Sequence, residues 1–141
     1  MLRVLCLGAL VVGLAGSASG EEIERKPAPA EARVYFVTPL GGDEVASPVL
    51  VRFGLSGMGV APAGVDWPNT GHHHLIVDAP TPPADRPIPA DDHYRHFGGG
   101  QTEVELALLP GEHTLQLVLG DHIHVPHVPP VVSDVIRIRV K

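Results

Sequence analysis

From Arg33 onward the chain alternates short β-branched or apolar runs with Gly and Pro punctuation, and no stretch of ten or more residues carries a helical apolar stripe. Period-two alternation predicts strands at 33–37, 49–55, 72–78, 102–109, 113–120 and 132–140. Six core strands in so short a span predict an all-β domain, an immunoglobulin-like β-sandwich. The clearest strand follows the Pro110-Gly111 turn: His113, Leu115, Leu117 and Leu119 share one face, and Thr114, Gln116 and Val118 the other. Five prolines between 79 and 90 exclude a central strand there, so that segment is expected to wrap an edge as a loop.

The residues ahead of this pattern follow different rules. Arg3, the apolar run at 4–15 and the small residues Gly16-Ser-Ala-Ser-Gly20 predict a secretion signal at 1–20, cleaved after Ser19 or Gly20. The apolar run is shorter than the roughly 20 residues a membrane-spanning helix needs, and no second run follows, so no membrane span is expected. Residues 21–32 mix charges with Pro27 and Pro29 and lack apolar periodicity, which predicts a disordered spacer before a single domain at 33–141. The reading is of a periplasmic or secreted protein.

Composition narrows the chemistry. The lone cysteine, Cys6, falls in the signal, so no disulfide is expected in the domain, and its stability must come from packing or partly from a bound ion. The formal charge of -6 and the scatter of basic residues argue against a nucleic-acid partner. No serine sits in a nucleophile-elbow context, and the domain lacks a thiol nucleophile.

Nine histidines stand against one tryptophan and two tyrosines, and eight of them fall in three groups: His72-His-His74, His93 with His96, and His122, His124 and His127 in Asp121-His-Ile-His-Val-Pro-His127. In an immunoglobulin-like sandwich the third and penultimate strands are antiparallel neighbours, which would bring these groups to one pole. Leu75 and Val77 must face the core, so His73 points inward with them while His72 and His74 point together to the other side. The same alternation pairs His122 with His124. The expected ligand set is His72, His74, His122 and His124, with His127 or Asp121 as a further ligand or as the partner that fixes an imidazole tautomer. Without thiolates, and with Met58 the lone methionine after Met1, the nitrogen and oxygen donors suit copper(II) or zinc(II). His93 and His96 are expected in an exposed loop or a lid, and His113 as a corner residue.

Three functions follow. The leading one is a non-enzymatic metal-binding or metal-handling protein whose partner is the ion. The second is a cupin-like metal-dependent enzyme using His72, His74, Asp78 and His113. In the third, a metal-free interaction module, histidines titrating near 6.5 modulate a protein contact.

The opening at 37–51 is similar in form to the start of bacterial immunoglobulin-like domains. The segments Thr70-Gly-His-His-His-Leu-Ile-Val-Asp78, Phe97-Gly-Gly-Gly-Gln-Thr-Glu103, Pro110-Gly-Glu-His-Thr-Leu-Gln-Leu117 and Asp121-His-Ile-His-Val-Pro-His-Val-Pro-Pro130 resemble the bacterial family catalogued as domain of unknown function 4399. The resemblance covers about 34–140 and implies an exported, single-domain bacterial protein; it supplies no activity.

Overall fold

The structure, a computed structural model, describes residues 23–141, and the expected secretion signal lies outside the described residues. Among the described residues nine strands follow one another: β1 (Arg33–Thr38), β2 (Glu44–Val45), β3 (Val49–Ser56), β4 (Gly59–Val60), β5 (Thr70–Val77), β6 (Tyr94–His96), β7 (Glu103–Leu106), β8 (Gly111–Gly120) and β9 (Ile136–Val140). They form two sheets, one ordered β1-β3-β7 and the other β2-β9-β8-β5-β4, with β6 paired to β5. The result is a β-sandwich. All six expected strands are present, with ends shifted by a few residues, and the short strands β2, β4 and β6 are additions that period-two alternation does not detect.

The core lies between the sheets. Phe36, Val49, Val51, Phe53 and Leu106 from the small sheet meet Leu75, Val77, Leu115, Leu117, Leu119, Ile138 and Val140 from the large one. Those positions alternate along their strands, as the pleat requires. The outer face of the large sheet carries the complementary positions, where Ile76 and Val118 pack with Ile88 in a second, smaller cluster. Ile88 belongs to the proline-rich loop, which forms no strand and donates its backbone N–H to the carbonyl of His124. The loop therefore covers the outer face rather than an edge.

The segment at 23–32 departs from the disorder expected of it. Pro27 bridges Val128, the Ala28 N–H donates to Val128 O, the Val128 N–H donates to Lys26 O, and Ala28 and Ala32 pack on the core. Arg25 adds hydrogen bonds to the carbonyls of Pro126 and His127. Apolar patterning misses such a strap because backbone pairing and one arginine hold it in place.

Candidate functional site

The histidines at the pole are placed by register. In the β5–β8 ladder His72 stands opposite Gly120 and His74 opposite Val118, and on the other side of β5 His74 stands opposite His96 of β6. Residues directly opposite on a sheet share a face, so His72, His74 and His96 project together from its outer side. The Nε2 atoms converge: His72 lies 3.1 Å from His74 and 3.2 Å from His96. The His124 ring closes the group, its centroid 5.1 Å from His72, 6.0 Å from His74 and 4.7 Å from His96. Among the described residues, His72, His74 and His96 are the set whose donor atoms come near enough together to hold one ion.

Local sequence makes room for this group. A Cβ on Gly120 would lie 2.9 Å from His74 Nε2, and one on Gly98 would lie 2.6 Å from His96 Nε2, so glycine at both positions lets the rings meet. Strand β6 is held in register from its ends. Asp91 accepts the N–H groups of His93 and Tyr94, and the His93 Nδ1–H donates to Val77 O. Phe97, just past the strand, packs at a tilt against Phe53 with centroids 4.8 Å apart.

The site is buried on one side and open on the other. His72 and His74 are buried, His124 is half-buried, and His96 is exposed. Burial first, then repulsion from neighbouring imidazoles, pushes His72 down to about 4 and His74 to about 2; the same causes lower His96. At neutral pH His72 and His74 are thus neutral and carry ligand lone pairs. They do not switch near 6.5, as the metal-free interaction module requires. The Nδ1 atoms of both rings are buried without a hydrogen-bond partner among the described residues.

Nitrogens about 2.0–2.1 Å from a tetrahedral ion are about 3.3 Å apart, close to the spacing here. Hydrogen bonding satisfies the trio poorly, because His72 Nε2 has a single proton or lone pair and faces two ring nitrogens at once. One cation accepting all three lone pairs removes the conflict, so the donor set fits a transition-metal ion.

The other expected ligands lie elsewhere. Strand β8 stops at Gly120, and residues 121–124 form a turn: Asp121 Oδ1 accepts the N–H groups of Ile123 and Val125, Asp121 O accepts that of His124, and His124 has a φ of 72°. Strand alternation does not extend through such a turn. His124 therefore faces the cluster while His122 points away, its Nε2 3.7 Å from Asp66. Asp121 caps the turn, and the His127 Nε2–H donates to Thr70 O at 3.2 Å. His96, expected in a loop or lid, takes the place given to His122.

The cupin-like set does not converge. His113 Nδ1 is 2.6 Å from Asp78 Oδ2, but this pair flanks the ladder beyond Val77 and Leu115. His72 lies on β5 five residues before Val77, about 17 Å away at the usual strand rise. His113 is a corner residue, donating from Nδ1 to Asp78 and from Nε2 to Leu109 O. His73 faces the core, its ring centroid 5.1 Å from that of Phe53, and burial pushes it down to about 4.

Among the described residues no helix is long and apolar enough to cross a membrane. No curated protein and no solved structure matches the chain. A family match covers residues 51–141, which leaves 34–50, included in the resemblance noted from sequence, ahead of the matched stretch. The match takes in more than half of the chain and every strand that carries the histidine cluster, and the chain belongs to the family described as a domain of unknown function, DUF4399.

Proposed function

We propose that the protein is an exported metal-binding protein that holds a copper(II) or zinc(II) ion on His72, His74 and His96, with His124 as the group that closes over it. The observation that carries this reading is the approach of two Nε2 atoms to that of His72, at 3.1 and 3.2 Å, from two paired strands. Rigid strands present the nitrogens with little left to organise, and neutral imidazoles oblige the ion to displace no proton at neutral pH. The exposed side at His96 leaves a route for the ion to enter and leave, which suits handling of metal rather than permanent closure around it. Export rests on the signal-like pattern at 1–20.

The test is elemental analysis of untagged, dialysed protein, with melting temperature recorded as zinc or copper is added. One equivalent of bound ion and a rise in melting temperature are expected, since a ligand of the folded state stabilises it by mass action. Loss of a ligand in His74→Ala or His96→Ala should weaken binding by more than the roughly 10–100-fold that outer partners cost. His122→Ala should bind as the parent does. Binding that survives in His74→Ala and His96→Ala but fails in His122→Ala would return the site to the set expected from sequence.

A further inference from the structure

A strand at the edge of a sheet holds backbone N–H and C=O groups that its own sheet leaves unpaired, and folds guard such edges against other chains. Most edges here are guarded. Strand β1 breaks its register between Phe36 and Thr38, β2 and β4 are too short to template a partner, and in β6 Asp91 takes both the N–H and the C=O of Tyr94. Strand β7 differs. It pairs with β3 in unbroken register from Glu103 to Leu106, without proline or bulge, and its inward side chains are apolar: Leu106 is buried in the core and Val104 packs against it.

The phase of the hydrogen bonds fixes what β7 presents. The Phe53 N–H donates to Thr102 O, so Thr102, Val104 and Leu106 turn their backbone groups toward β3. Glu103 and Glu105 turn theirs away, and those groups have no hydrogen-bond partner among the described residues. They open on a slot of about 530 Å³ lined by 104–107 on one side and by 94–97, at the edge of the large sheet, on the other. Walls of that span measure about 13 Å at the usual strand rise, the length of a short extended segment.

Charge chooses among occupants. On the outer face Glu103 pairs with Arg52 at 2.9 Å, while Glu105 is exposed and has no ion pair among the described residues. A second copy adding its own β7 would set glutamates against glutamates, and like charges directly opposite are destabilising. A basic residue opposite Glu105 reverses the sign. The next residue of such a segment points inward by the pleat, toward Val104 and the buried Phe97 and Leu106, where an apolar side chain fits.

We propose that β7 is a docking edge that takes an extended segment of a partner protein as a fourth strand of the small sheet. Basic and apolar side chains alternate along that segment, with a basic one opposite Glu105. Backbone pairing supplies the affinity and the alternation supplies the selectivity. The edge does not depend on the metal centre.

The experiment titrates untagged, isotope-labelled protein with a blocked hexapeptide alternating lysine and valine, read by amide chemical shifts. Saturable shifts centred on 94–97 and 102–107 are expected, with a dissociation constant on the order of 0.1 mM. The same peptide methylated on its lysine backbone nitrogens cannot donate to the Glu103 and Glu105 carbonyls, and should bind at least about fivefold more weakly. A peptide alternating glutamate and valine should bind at least about tenfold more weakly. Glu105→Pro removes an outward N–H without touching a bond to β3, and should also weaken the lysine peptide at least about fivefold. No saturable shift, shifts centred elsewhere, equal binding of either control peptide, or undiminished binding in Glu105→Pro each overturns the proposal. So does a concentration-dependent dimer whose shifts fall on β7 without peptide, which would make a second copy the occupant. The peptide comparison in the parent protein decides the matter even if Glu105→Pro fails to fold.

Discussion

His73 sits between His72 and His74 and faces the other way. Both of its ring nitrogens are buried without a partner among the described residues, against Phe53. A buried polar group in that position costs stability, and leucine fills nearly the same volume without the cost. His73→Leu is expected to raise the melting temperature of metal-free protein and to leave metal stoichiometry unchanged, as paired thermal and elemental measurements would show. His113 behaves in the opposite sense. Burial works against its charge, but donation to Asp78 and to Leu109 O and the Asp78 carboxylate outweigh it, and its pKa is raised. Two donated hydrogen bonds require the imidazolium. Its contribution is therefore full below its unfolded value near 6.5 and is lost as pH climbs through the raised value. His113→Ala should cost about 1–2 kcal/mol in chemical denaturation at pH 6, and less at pH 9. Alternation along a strand was enough to face His73 to the core from sequence, because it lies within a regular ladder. It misassigned His122, since a single carboxylate at Asp121 turns the chain before the next pleat.

At the level of elements, the site depends on two short pieces that hydropathy does not mark. Strand β6 has three residues and pairs through His74, Leu75 and Ile76. Its anchors, Asp91, His93 and Phe97, lie outside it, which is why a reading by periodicity left His96 in a loop. The glycine opposite His72 is the other piece. In Gly120→Ala the new Cβ meets His74 Nε2 at 2.9 Å and the His124 Cα at 3.3 Å, so the rings must part. That variant is expected to stay folded and to lose at least about tenfold in metal affinity by competition titration, the scale on which displaced supporting groups act. The strap makes a separate prediction. Arg25→Ala removes both side-chain hydrogen bonds that tie it to Pro126 and His127, so amide exchange across 121–128 should quicken while β5 and β8 stay protected.

The whole molecule combines a dry core between two sheets with a nitrogen-rich outer pole that is buried at His72 and His74 and open at His96. Its fold class was legible because six strands carry their own alternation and because Leu115, Leu117 and Leu119 declare the core face. The convergence of separated histidines was legible too, as a consequence of antiparallel neighbours, but which rings converge depended on a strand and a turn too short to leave a period. The buried imidazoles also tie stability to pH. His72 and His73 take up protons far less readily folded, near 4, than unfolded, near 6.5, so metal-free protein should lose stability as pH falls from about 6.5 toward 4. Bound metal should delay that loss, because protons must then displace the ion.

The most direct test of the proposed metal centre is the X-ray absorption fine structure of zinc-loaded, untagged protein. Three or four imidazole nitrogens at about 2.0–2.1 Å are expected, with one fewer in His96→Ala. A first shell made mainly of oxygen, or a spectrum unchanged by removing His96, would contradict a site built where β5 and β6 meet.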